Sequence, residues 1–306
     1  MYDFYPEGLL LNTAANRRRT ENAAALAEAA ADEVIVEARA VLCDNEHNLY
    51  VEFPCMKGVI PREEGAMGIA DGSTRDIALI SRVSKPVCCV VTGFEYTPDG
   101  ERRAVCSRRA AQQRCHDEFL SLCRPGDVIA ARVTRLESFG AFCDIGCGIP
   151  ALLPIASISV SRIAHPSDRL YVGMDIHCVI SSIEGSRICL SQRELLGTWE
   201  ENAALFTQGE TVAGIVRSVE DYGVFIELTP NLAGLAEPRD GVRVGQYAGV
   251  YIKNILAEKM KLKLVLIDSQ DAAELPPLKY FITEGHIDRW QYSPSSCRKV
   301  IETVFG

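Results

Sequence analysis

The sequence predicts a mainly β chain of three tandem small units, each a five-stranded barrel or sandwich. Helical linkers join the units, and a helical N-terminal segment and a C-terminal tail flank them. Three observations predict this. A pattern of about 65–75 residues recurs along the chain, and a repeat of that size is one structural unit used again. Each copy is made of short alternating apolar and polar runs separated by Gly and polar turns, the mark of a small all-β unit. Between copies, apolar residues fall at helical spacing.

The second unit, 124–194, is the clearest. It opens RPGDVIAARVTRLESFGAFCDIG, and the third unit, 207–268, opens TQGETVAGIVRSVEDYGVFIEL. Aligned on Gly126 and Gly209, each runs as an alternating strand into an aromatic-Gly-small-Phe group: Phe139-Gly140-Ala141-Phe142 and Tyr222-Gly223-Val224-Phe225. An acid follows two residues later, at Asp144 and Glu227. The second halves also correspond. GIPALLPIASIS, Gly173, IHCVISSI, EGS and RICLSQR in one unit face LAGLAE, Gly245, YAGVYIKNI and KLKLVLID in the other.

The first unit, 33–110, is a degenerate copy. VIVEARAVLCDNEHNLYVEFPCMKGVIP supplies the opening strands and VSKPVCCVVTGFE with RRAVCSRR the closing pair, but the aromatic-Gly-small-Phe group is missing. Residues 111–123 and 195–206 are the linkers, with helical spacing over Ala110 to Cys123 and Leu195 to Phe206. The Ala-rich run Thr13 to Asp32 predicts a helix within the segment 1–32. Residues 269–306 form the tail, whose Trp290 and Tyr292 either dock elsewhere or, the favoured reading, cover a barrel face.

Composition narrows the function. No apolar run approaches the roughly 18–20 residues of a membrane helix, and MYDFYPEGLLLN lacks the basic start and apolar core of a signal peptide. The expectation is a cytoplasmic protein with no membrane partner. The 12 cysteines sit mostly in strand-like runs, as at Cys88, Cys89, Cys143, Cys178 and Cys189, and read as small buried thiols. No CxxC pair exists, and CxxxC at Cys143 and Cys147 lacks further ligands, so neither a metal nor a cofactor is expected. The net charge of −9 is awkward for a nucleic-acid binder. Yet 124–194 balances seven Arg against seven acids, and Lys259, Lys261 and Lys263 cluster. A local basic stripe can carry a site on an acidic protein.

The repeated aromatic group points to RNA. In a regular strand Phe139 and Phe142 would face opposite sides, but Gly140 permits a bulge that puts both rings outside. Ala141, Cys143 and Ile145 then face the core and Asp144 the outside. Exposed paired rings are costly unless they stack, and base stacking is worth roughly 1–3 kcal/mol per base. Arg132, Arg135, Arg187 and Arg193 lie on strands or strand ends of the same unit and can take phosphates. Tyr222, Phe225, Arg217, Lys253 and Lys261 play these parts in the third. The plain alternative is that alternating aromatics are core. Repetition of the pair with its Gly favours exposure.

These residues resemble the S1 RNA-binding domain, strongly over 124–194, clearly over 207–268 and weakly over 33–110. The whole arrangement is similar to short bacterial members of the ribosomal S1 family or an S1-like paralogue. The resemblance implies tandem five-stranded OB-fold barrels that bind single-stranded RNA such as mRNA at Phe139, Phe142, Tyr222 and Phe225. It places a family Asp near Glu184 and the following Arg on Arg187. Where the family often has a His contact, this chain has Pro154 and Glu237. The resemblance further implies that the degenerate first repeat docks on the small ribosomal subunit.

No nucleophile, metal or nucleotide motif appears, the five His are dispersed, and Glu63-Glu64 reads as a helix N-terminal charge. His177, mid-strand, reads as packed or surface-facing. The chain is therefore expected not to be an enzyme. The competing reading is a protein-interaction or regulatory scaffold of an RNA-processing or transcription assembly, whose barrels bind RNA weakly.

Overall fold

A computed structural model describes residues 4–185, 187–271 and 276–305. The chain forms two compact units, one of residues 1–123 with 144–150, the other of 124–143 with 151–306. They hold three closed five-stranded barrels.

The first barrel consists of β1 (Ile35–Cys43), β2 (Leu49–Glu52), β3 (Lys57–Ile60), β4 (Pro86–Tyr96) and β5 (Arg102–Ser107). The second uses β6 (Val128–Glu137), β7 (Gly140–Asp144), β8 (Pro150–Pro154), β9 (Asp175–Glu184) and β10 (Arg187–Ser191). The third uses β11 (Thr211–Glu220), β12 (Gly223–Thr229), β13 (Leu232–Ala236), β14 (Tyr247–Leu256) and β15 (Lys261–Gln270). In each, the third strand runs parallel to the fifth and the first closes the barrel against the fourth. This resolves the barrel-or-sandwich choice: closure leaves no free sheet edge.

The alternation fills each interior. Ala248, Val250 and Ile252 of β14 meet Leu262 and Leu264 of β15 in one core. Val36, Ala38, Val51, Val87, Cys89 and Cys106 do the same in the first barrel. The long first strand bends to serve two neighbours, and a bulge marks the bend: between Ala40 and Leu42 in β1, and between Val216 and Ser218 in β11.

The helices are shorter than the spacing suggests. Thr13 to Asp32 is two helices, α1 (Ala14–Thr20) and α2 (Ala23–Ala31). Asn22 divides them because its side chain accepts from the backbone N–H groups of Ala24 and Ala25, a cap rather than a helix-interior role. A four-residue α3 (Ile77–Ile80) precedes β4. The first linker is α4 (Arg108–Glu118), capped by Ser107, then a 3₁₀ turn. The second breaks at Gly197, whose φ of +83° suits the left-handed region, leaving a 3₁₀ turn and α5 (Trp199–Ala203). Glu63 and Glu64 sit in a 3₁₀ turn, where Glu64 binds Arg109 and the Ser107 hydroxyl.

The C-terminal tail is structural. It forms the hairpin β16 (Arg289–Gln291) and β17 (Glu302–Val304), and Trp290, Tyr292 and Phe305 are buried in one cluster with the third-barrel core. The Tyr292 hydroxyl donates to Asn231 O at 2.5 Å. All 12 cysteines are free thiols.

Candidate nucleic-acid interface

Phe139 and Phe142 meet edge to face, ring centroids 6.1 Å apart at 90°. Tyr222 and Phe225 repeat this at 6.1 Å and 87°. Phe139 is 53% and Tyr222 67% exposed, while Phe142 and Phe225 are half-buried. Both rings of each pair thus reach the outside.

The cause differs from a bulge inside the aromatic strand. Glu220 pairs with Gly223, so Asp221 and Tyr222 form a two-residue hairpin turn, and Ser138 and Phe139 sit in the matching turn. The turn, not a bulge, aims the first ring, and the bulge lies on the facing strand at Arg217. The glycine serves a close approach. A Cβ on Gly140 would lie 2.4 Å from Leu153 O, and one on Gly223 2.6 Å from Ala236 O. Neither carbonyl could stay where the barrel places it.

Asp144 also departs from expectation, for it is buried rather than outside. It accepts from the backbone N–H groups of Glu7, Gly146 and Gly148 at 2.8, 2.9 and 3.0 Å, which makes it a staple for irregular chain. Burial, reinforced by the neighbouring Glu7, pushes its carboxyl upward. Burial would raise Glu7 as well, but its ion pairs with Arg108 and Arg82 at 2.6 and 3.0 Å bring it below the usual range.

The basic residues divide sharply. Arg132 is bidentate on Asp175 at 2.6 and 2.9 Å. Arg135 pairs with Glu137 at the rim, and Arg193 binds Glu194 and Thr303. Arg217 is not available to a ligand. Its mostly enclosed side chain binds Glu227 beside the buried Arg169, with N–O distances of 2.7 to 3.1 Å, so that expectation is corrected. Each guanidinium meets that one carboxylate through two nitrogens. Arg187 is exposed opposite Glu184 at the start of β10. Lys253 and Lys261 are exposed and make no ion pair among the described residues.

Sequence reasoning missed part of the first barrel. Tyr50 lies opposite Leu42 just past the β1 bulge, as Phe225 lies opposite Ser218 past the β11 bulge. The parallel pairs Val59–Val105, Leu152–Cys189 and Leu235–Lys263 set a common register, and two residues before the fifth-strand member stand Arg103, Arg187 and Lys261. Arg103 lies 5.9 Å from the Tyr50 ring centroid and pairs with Glu95 at 2.6 Å. The first barrel thus keeps one ring and one cation. Its longer turn, Asp44 to Asn48, is tied by the Asp44 carboxylate accepting from the Glu46 and Asn48 N–H groups, and it carries no outer ring. Aligning the fifth strands, rather than the aromatic group, would have revealed the correspondence.

Among the described residues, no three His, Cys, Asp or Glu side chains gather as a metal site, and no helix is long and apolar enough to cross a membrane. His177 packs edge-on against Tyr280 at 5.2 Å.

Comparison with known proteins agrees with this geometry. Residues 123–191 match the family described as S1 RNA binding domain. The chain is 32% identical over 179 residues to small ribosomal subunit protein bS1 of Leuconostoc lactis, covering 56% of this chain and 40% of that protein. Against bS1 of Staphylococcus aureus (strain COL) it is 29% identical over 204 residues, covering 60% and 52%. The chain therefore spans about half the length of the curated relatives it matches. Among solved structures, a multidomain protein with nucleic acid binding domains from Streptococcus pneumoniae TIGR4 aligns over 77% of this chain and 74% of its own, at 14% identity and a TM-score of 0.26. The second of the three barrels thus matches the family described as S1 RNA binding domain over residues 123–191, and over 56–60% of its length the chain is similar to small ribosomal subunit protein bS1.

Proposed function

We propose that this chain binds single-stranded RNA, mRNA in particular, in a translation-related role on the small ribosomal subunit. It does so in the cytoplasm and without chemistry of its own. The observation that carries the reading is the duplicated aromatic pair. Two barrels place two rings in the same edge-to-face geometry at the same hairpin, with one ring of each pair mainly in solvent. A fold does not repeat an exposed ring pair for its own stability, whereas unpaired bases stack on such platforms with little regard to sequence. Similarity to bS1 supports the ribosomal setting.

The first barrel, with half a site, is the one proposed to dock on the subunit. The competing scaffold reading draws on the number of arginines already held by acids, Arg132, Arg193 and Arg217 among them. Photocrosslinking separates the two. With 4-thiouridine-containing single-stranded RNA, the expected adducts map to peptides around Phe139–Phe142 and Tyr222–Phe225. Adducts confined elsewhere, or none at low salt, would favour the scaffold.

A further inference from the structure

We propose that the third barrel, rather than the family-matched second, is the chain's principal RNA surface, through a strip that runs from the Tyr222–Phe225 pair to Tyr251 past Lys263, Lys261 and Lys253. This rests on the RNA reading above and extends it by ranking the third barrel first and by adding Tyr251 and Lys263 to its site.

The register draws the strip. Phe225 of β12 lies opposite Leu235 of β13, and Leu235 opposite Lys263 of β15. Two residues further along β15, Val265 lies opposite Tyr251 of β14. On β15 the buried Leu262 and Leu264 alternate with exposed Lys261, Lys263 and Val265, and on β14 the buried Val250 and Ile252 alternate with exposed Tyr251 and Lys253. The named side chains therefore share the outer face of adjacent strands. Tyr251 is 40% and Val265 46% exposed.

Two independent features favour a polyanion here. Lys253, Lys261 and Lys263 make no ion pair among the described residues, whereas in the second barrel Arg132, Arg135 and Arg193 do, leaving Arg187 as the cation without one among the four named there. Glu258 pairs with Lys259 in the hairpin turn, and Asp268 accepts from Gly249 N–H at the other end of β15, while one exposed acid, Glu237, follows Ala236, the partner of Leu264. Three ammonium groups that form no ion pair outnumber that acid, and beside a half-exposed ring they suit phosphates and a stacked base. A protein partner would have to desolvate the same lysines.

The face is also covered in the other barrels. The pair Thr211–Tyr251, four residues before the end of the common first-to-fourth strand register, corresponds to Val128–Val179 and Ile35–Val90. Val179 is buried in a cluster with Ile287 and Trp290, and Val128 N–H donates to Gly285 O, so the tail covers the second barrel there. Val90 is buried where α2 and α4 pack on β4. Only on the third barrel does this position carry an exposed ring.

The test is fluorescence anisotropy of the full chain with labelled oligo-U across a salt series. Its variants are Lys261→Gln/Lys263→Gln, Tyr251→Ala, Tyr251→Phe and Phe139→Ala/Phe142→Ala. Loss of two phosphate contacts should flatten the log–log salt slope by about 1.4. Tyr251→Ala should weaken binding about fivefold or more, and Tyr251→Phe should bind as wild type, since a phenyl ring stacks equally. The Phe139/Phe142 variant should lose less than the lysine variant. A lysine variant with wild-type slope and affinity, beside a Phe139/Phe142 variant that no longer binds, would leave RNA binding intact but move it to the second barrel. A wild type that does not bind even at low salt would remove the RNA reading itself, and this inference with it.

Discussion

At the scale of single residues, the interface depends on atoms that are not in it. Gly223 sits where a Cβ would meet Ala236 O at 2.6 Å, so Gly223→Ala must push β12 from β13. Overpacking of this kind costs about 1–3 kcal/mol, to be read in urea unfolding followed by a third-barrel signal. Glu227 holds two guanidiniums, the buried one of Arg169 and the mostly enclosed one of Arg217. Glu227→Gln leaves both without a counter-charge, and the expected loss is about 3–5 kcal/mol in the same assay. The glycine's role was misread as permitting a bulge, but the ring pairs were legible in the sequence, because a repeated motif reports a repeated geometry. The fate of the charges was not. Arg217 and Lys261 look alike as basic residues on strands. Only three-dimensional packing brings Glu227 against one and leaves the other in solvent.

At the scale of elements, the strands were legible and the irregular segments were not. β6 and β7, or β11 and β12, announce themselves through period-two alternation ended by a turn. Asn22 was hidden in an Ala-rich run because a cap is set by local backbone geometry as well as residue type. Asp144 was misplaced because alternation breaks at the last residue of β7, where Cys143 and Asp144 are both buried and the irregular chain that follows needs an acceptor. The tail was open to two readings, and its burial shows it belongs to the unit of residues 124–143 and 151–306. Trp290 is 5% exposed in the third-barrel cluster. Trp290→Ala should therefore destabilise that unit by about 3–5 kcal/mol, as a loss of calorimetric Tm. A Tm unchanged within error would mean the tail only rests on the surface.

At the scale of the molecule, charge sets both stability and binding. In the unit of residues 1–123 and 144–150, burial pushes the Glu37 carboxyl up to about 7 from 4.5, although the Gly8 and Leu11 N–H groups favour its anion. A carboxyl with a raised folded pKa binds more protons folded than unfolded. Its stabilising contribution is complete below pH 4.5 and is lost as pH rises through about 7. Glu37→Gln should therefore flatten the fall in stability between pH 5 and 8, measured as Tm against pH beside wild type. With a net charge of −9, the proposed binding surface is local, confined to the rings and the cations that form no ion pair. The repeated rings are the proposed RNA platform. Its most direct test is oligo-U affinity at low salt, comparing wild type with Phe139→Ala/Phe142→Ala/Tyr222→Ala/Phe225→Ala. Measurable wild-type binding is expected, with a loss of at least about 2 kcal/mol in the variant and the salt slope retained because no cation was removed. Equal affinity in the two proteins would contradict it.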